Sequence, residues 1–129
     1  MTKYVVVNAL SLNMIEGDAS LIVQGMSIQQ VLEALAKNEW ESAIGHATTA
    51  AVVSGILGVD IPYNRVNVEL VGNMALVVAQ YSGPRLPEGA TTLPEGARIV
   101  FRQVVLEEYP MRKIPLVSAE TLTKIHGLG

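Results

Sequence analysis

The chain of 129 residues has no cysteine, only two histidines, and only two aspartates. Without cysteine, disulfides, zinc–thiolate centres and cysteine nucleophiles are excluded. The histidines and aspartates lie far apart, which gives no metal-ligand spacing and predicts neither metal nor cofactor. There is no GxGxxG and no GxxxxGKS/T loop, so dinucleotide and Walker-type sites are unsupported. A GxSxG nucleophile elbow is also missing. Long apolar runs are lacking: the longest, around residues 50–59, is interrupted by Ser54 and Gly55 and is too short to span a bilayer. Residues 4–10 (YVVVNAL) suggest a secretory signal, but Asn8 breaks the run and no small-x-small cleavage site follows. The expectation is a cytoplasmic protein with no membrane partner.

What is present is apolar. Half the residues are hydrophobic and 16% are charged, which excludes a disordered chain and allows one domain with a real core. Nine basic and twelve acidic residues give a formal charge of −3. Residues 1–60 carry two lysines against six acids, whereas residues 61–129 carry seven basic groups against six acids. All five arginines (65, 85, 98, 102 and 112) lie in the second half. A net-acidic chain lacks the broad basic face of a duplex binder, which argues against duplex nucleic acid as a partner. It can still present a few guanidinium groups to a small phosphate ligand, with solvated surface arginines as the plainer alternative.

Residues 3–8 (KYVVVN) read as a buried first strand and 20–25 as a weaker second one. Ser27 and Gln30 form a capping-box pattern, and Ile28, Val31, Leu32 and Leu35 share one face, which predicts a helix over about 28–38. The stretch 40–58 reads as a buried helix, apolar on all sides, beginning near Gly45–His46 and ending at Gly58. RVNVELV (65–71), the Gly72–Asn73 turn and MALVVAQY (74–81) predict a hairpin. A loop over 82–96 contains Leu-Pro-Glu-Gly twice; a strand over 97–107 and a short helix over 118–126 follow. The expected fold is α/β (α+β), a mixed, largely antiparallel sheet of about five strands with helices packed against it. It is expected as a single domain over 1–129, with a core of about 3–108 and an extension over 109–129, rather than a βαβ-repeating nucleotide fold.

Three groups could carry chemistry. His46 interrupts an apolar segment, directly after Gly45 and before Ala47, Thr48 and Thr49. If a helix starts there, an imidazole, two hydroxyls and free backbone N–H groups gather where a phosphate binds well; a capping or core histidine is the plainer reading. His126 reads as a tail residue. Arg85 and Glu88 flank Leu86–Pro87 and form either a loop salt bridge or a phosphate donor with an orienting carboxylate. Asn8, Ser11 and Asn13 follow a buried strand, where site residues and turn residues are equally at home.

Taken in order, these segments are more specific. The series runs Asn8-Ala9-Leu10-Ser11-Leu12-Asn13-Met14, then Ser42-Ala43-Ile44-Gly45-His46 with Thr49. It continues through Leu57-Gly58, Asn64-Arg65-Val66 with Glu69, and Arg85-Leu86-Pro87-Glu88-Gly89. This series resembles the viral ring nuclease family of type III anti-CRISPR proteins, over about residues 3–89. The resemblance implies a homodimer that binds cyclic tetra-adenylate across its two-fold interface. It implies metal-free cleavage to linear oligoadenylates with 2′,3′-cyclic phosphate ends, which antagonises type III CRISPR signalling. By the same resemblance His46 is the general acid, Glu88 its supporting acid, and Ser11 and Arg85 contact the ligand and position the scissile phosphate. Arg65 is a further basic position, and Asn8, Asn13, Gly45, Thr48 and Thr49 fall among the ligand-binding positions. The chain departs from the family at Ala47, where relatives carry an acidic or amide residue, in the loop after Glu88, and beyond about residue 108.

Two other classes compete with the enzyme: a sponge that binds cyclic oligoadenylate without cutting it, and a DNA-binding viral regulator. Product formation separates the first, and the −3 charge argues against the second.

Overall fold

A run of β-branched residues makes the first strand, β1 (Lys3–Val7), and its position in the sheet explains its composition. The computed structural model of the protein describes residues 2–107; the helix expected over 118–126 and the rest of the extension lie outside them. The further strands are β2 (Leu21–Met26), β3 (Glu39–Ser42), β4 (Met74–Ser82) and β5 (Arg98–Leu106). The helices are α1 (Ile28–Lys37) and α2 (Ala47–Leu57). Together they form a single α+β domain around a five-stranded mixed sheet in the order β2-β5-β4-β1-β3.

β1 is parallel to both neighbours, β3 and β4, while β5 is antiparallel to β4 and β2. Pairings are therefore evenly divided between the two kinds, and β1, β2, β3 and β4 all run the same way. Both helices lie in crossovers between strands of like direction, β2–α1–β3 and β3–α2–β4, within the expected mixed sheet. The second crossover carries the chain from β3, past β1, to β4.

Alternation along the strands divides the core in two. Val6, Val77, Ala79 and Phe101 pack with Val31 and Leu35 of α1 and Ala50, Val53 and Leu57 of α2. Val5, Val7, Leu76, Val78 and Val104 face the other way and pack with Ala43 and Leu70. Since β1 is covered on both faces, Val5, Val6 and Val7 are all buried, as a continuous apolar run requires.

Residues 65–71 form no strand, which corrects the expected hairpin. Both edges of β4 are occupied, one by β1 and the other by β5, so no edge remains for a hairpin partner. The segment instead crosses the second face of the sheet, where Val68 packs on the core and Leu70 is buried. The Leu70 N–H donates to the Met14 carbonyl at 2.7 Å. The alternating pattern of 65–71 thus reports one buried side without strand pairing.

The local signals in α1 and α2 are realised directly. Ser27 Oγ accepts the Gln30 N–H at 3.1 Å, and Gln30 Oε1 accepts the Ser27 N–H at 2.8 Å, closing the capping box of α1. α2 ends at Gly58, whose φ of 68° is the left-handed conformation that glycine adopts without a Cβ penalty.

Candidate functional site

Because β1, β3 and β4 run the same way, their carboxyl ends meet at one end of the sheet. The loops leaving them carry Asn8, Gly45 with His46, and residues 83–97. Open α/β sheets bind ligands in the crevice beyond the carboxyl ends of their parallel strands, which is where these loops gather. A groove of about 1110 Å³ opens there. His46, Thr48, Thr49, Arg85 and Glu88 line it, together with Gly45, Tyr63 and Tyr81.

His46 is the N-cap of α2, in extended conformation, and its side chain makes no capping hydrogen bond. The Ala50 N–H donating to the His46 carbonyl at 3.0 Å closes the first helical turn. Ahead of that bond, the N–H groups of Ala47, Thr48 and Thr49 have no intrahelical acceptor. The imidazole is exposed at the positive end of the helix dipole, where an anion is favoured. Gly45 is held from two sides. Its N–H donates to Asn8 Oδ1 at 3.3 Å, and a Cβ built on it would lie 3.4 Å from Arg65 Cγ. Asn8 and Arg65 therefore set the backbone that leads into His46 and do not line the groove themselves.

The opposite wall is the loop between β4 and β5. Tyr81 donates its hydroxyl proton to the Pro84 carbonyl, tying the start of the loop to the end of β4. The Ala90 N–H donates to the Pro87 carbonyl at 3.1 Å, closing a four-residue turn with Gly89 third at φ 80°. That is the positive φ a type II turn needs at its third position. Glu88, second in the turn, is carried to the groove with Arg85. At the base of the loop a Cβ on Gly83 would lie 2.7 Å from Ala97 Cα, so only glycine fits. Further along, a Cβ on Gly55 would lie 3.2 Å from the Thr91 carbonyl oxygen, so the loop rests against α2.

Ser11 and Asn13 lie elsewhere in the chain. Ser11 caps a short 3-10 helix (Leu12–Met14), its Oγ accepting the Asn13 N–H at 3.3 Å, and neither residue lines the groove. Two tyrosines of the groove, Tyr63 and Tyr81, were not expected there. They become visible as groove residues only once β3 and β4 are known to flank β1 in parallel. Among the described residues no cluster of three histidine, aspartate or glutamate side chains could hold a metal ion. No helix among them is long and apolar enough to cross a membrane. Among the described residues, the one perturbed titration lies outside the groove. Glu69 is raised above the usual carboxylate value, first by a hydrogen bond with Glu16, then by the negative charge of Glu16, and last by desolvation.

The profile of the STIV B116-like family matches residues 4–101, a span that contains every groove residue named above. The chain belongs to that family. Among solved structures, B116 of Sulfolobus turreted icosahedral virus (STIV) is similar to it, with a TM-score of 0.67 and 25% sequence identity. The superposition covers 80% of this chain and 98% of the viral one. Among curated proteins no match is found.

Proposed function

We propose that this STIV B116-like protein is a metal-independent ring nuclease acting on cyclic tetra-adenylate, and that it antagonises type III CRISPR signalling in the cytoplasm of the cell. One observation carries the reading: His46, Arg85 and Glu88 line a single open groove into which the uncapped end of α2 also opens. The motif series from Asn8 to Gly89 supports it from the sequence side.

The reaction asks little of the protein in covalent terms. A ribose 2′-hydroxyl gives up its proton to solvent and attacks the adjacent phosphorus, the bond to the 5′-oxygen breaks, and a 2′,3′-cyclic phosphate remains. The nucleophile is already in the substrate. The protein has to hold the 2′-oxygen, phosphorus and 5′-oxygen in line. Arg85 and the N–H groups of Ala47, Thr48 and Thr49 supply positive potential for the charge that grows on the phosphorane. His46 gives the departing 5′-oxygen its proton, a task histidine performs near neutral pH. Glu88, across the groove, orients the imidazole or a ribose hydroxyl. A homodimer suits the ring, because a two-fold interface presents the same groove twice to a symmetric ligand.

The test is incubation with labelled cyclic tetra-adenylate in EDTA. The expected products are linear oligoadenylates ending in a 2′,3′-cyclic phosphate. His46→Ala is expected to slow cleavage by roughly 10²–10⁴-fold while leaving binding measurable. Unaltered turnover in that variant would sink the assignment, and tight binding without product would make the protein a sponge.

A further inference from the structure

Among the aromatic side chains of the groove, Tyr63 is unlike Tyr81. Tyr81 is half-buried and its hydroxyl is committed to Pro84. Tyr63 is 52% exposed, and among the described residues no group bonds its hydroxyl. Yet its backbone is tied on both sides to buried neighbours. Tyr63 pairs with Ile44 in an isolated parallel bridge, and Ile44 is fully buried two residues before His46. On one side Ser42 Oγ donates to the Pro62 carbonyl at 2.6 Å. On the other, the Asn64 N–H donates to the Ile44 carbonyl at 2.9 Å, and Asn64 Nδ2 to the Ser42 carbonyl at 2.7 Å. Ser42 is itself buried, so its bonds to Pro62 and Asn64 are partly shielded from water. An aromatic ring is thus left open to solvent on a backbone that is locked to the segment leading from β3 into His46.

We propose that Tyr63 is a stacking platform for a nucleobase of the groove's ligand. The proposal rests on the reading of the groove as a nucleotide site and adds a residue that recognises the base, where Arg85 and α2 address phosphate. Folding gains little from the exposed ring, whereas a base laid on it would remove two apolar faces from water. Stacking of this kind uses the π-face and not the hydroxyl, and it tolerates any base. The pre-set backbone lowers the ordering cost of binding, since the platform is already in place.

The experiment compares adenosine 5′-monophosphate with ribose 5-phosphate, titrated into the wild type, Tyr63→Ala and Tyr63→Phe and followed by amide chemical shifts. The wild type is expected to prefer the adenylate. Tyr63→Ala is expected to weaken adenylate binding roughly tenfold or more and leave ribose 5-phosphate unaffected, while Tyr63→Phe keeps most of the preference. With cyclic tetra-adenylate, KM is expected to rise in Tyr63→Ala more than kcat falls, as loss of ground-state binding requires. No adenylate preference in the wild type, or a preference that survives Tyr63→Ala, overturns the platform. Failure of cyclic tetra-adenylate to be cut overturns the ring-nuclease reading alone, since the adenylate comparison decides Tyr63 independently.

Discussion

Leu-Pro-Glu-Gly occurs at residues 86–89 and again at 93–96, and the two copies build the same turn in different surroundings. In the first, the Ala90 N–H donates to the Pro87 carbonyl at 3.1 Å; in the second, the Ala97 N–H donates to the Pro94 carbonyl at 3.0 Å. Gly89 and Gly96 sit at φ 80° and 81°. The proline and glycine are enough to specify the turn, and each copy obeys them. What differs is the neighbour. The first copy lies on the groove and presents Glu88 there, whereas the second ends at Ala97, which packs against Gly83 and closes the loop. Identical local chemistry thus serves a site in one case and a loop closure in the other.

Matched substitutions in the two copies break the comparison most directly. Glu88→Gln is expected to slow cleavage of cyclic tetra-adenylate by up to about 10²-fold, the loss that misplacing a reacting group incurs. Glu95→Gln, on the second turn, is expected to leave the rate unchanged. Equal effects from the two would mean that the groove does not distinguish the copies. Gly89→Ala and Gly96→Ala form the second pair. Neither added methyl meets a neighbour, so each should cost only the left-handed backbone penalty of about 1–2 kcal/mol. Thermal melts should therefore fall alike, while cleavage falls in Gly89→Ala alone. A large difference between the two melts would show that the turns are not equivalent.

The same contrast explains which parts of the molecule were legible. The Ser27–Gln30 capping box, the Gly58 terminus of α2 and the run Lys3–Val7 are local signals, and each forms where its residues predict. Strand β3 is four residues long and alternates Glu39 and Glu41 with Trp40 and Ser42, so nothing local announces it. Its existence depends on pairing with β1, more than thirty residues earlier. Residues 65–71 fail in the opposite sense, because alternation encodes a buried side and not a paired edge. At the site, His46, Arg85 and Glu88 stood out as polar groups in unusual positions. Tyr63 and Tyr81 did not, since their grouping follows from the parallel course of β1, β3 and β4. Ser11, singled out by family resemblance, caps its own short helix outside the groove.

The comparison is sharpened last by a carboxylate on the other covered face of the sheet. Glu69 is held above its ordinary value, chiefly by a proton shared with Glu16 and then by that neighbour's charge. A carboxyl that binds its proton more tightly folded than unfolded contributes stability at low pH. That contribution is present below the unfolded carboxylate value and lost as pH rises through the raised folded one. Above the raised value the charge on Glu69 is opposed by that of Glu16, so Glu69→Gln is expected to melt slightly higher than wild type on that side. The two melts should converge once pH falls below the raised value, where Glu69 itself is protonated. Glu69 is exposed to solvent, which screens the pair and makes this the smallest of the effects. Because Glu69 lies outside the groove, the pH profile of cleavage should survive Glu69→Gln unchanged. A cleavage profile that moved with Glu69 would couple the two faces through the sheet, and the groove could no longer be treated as an independent unit.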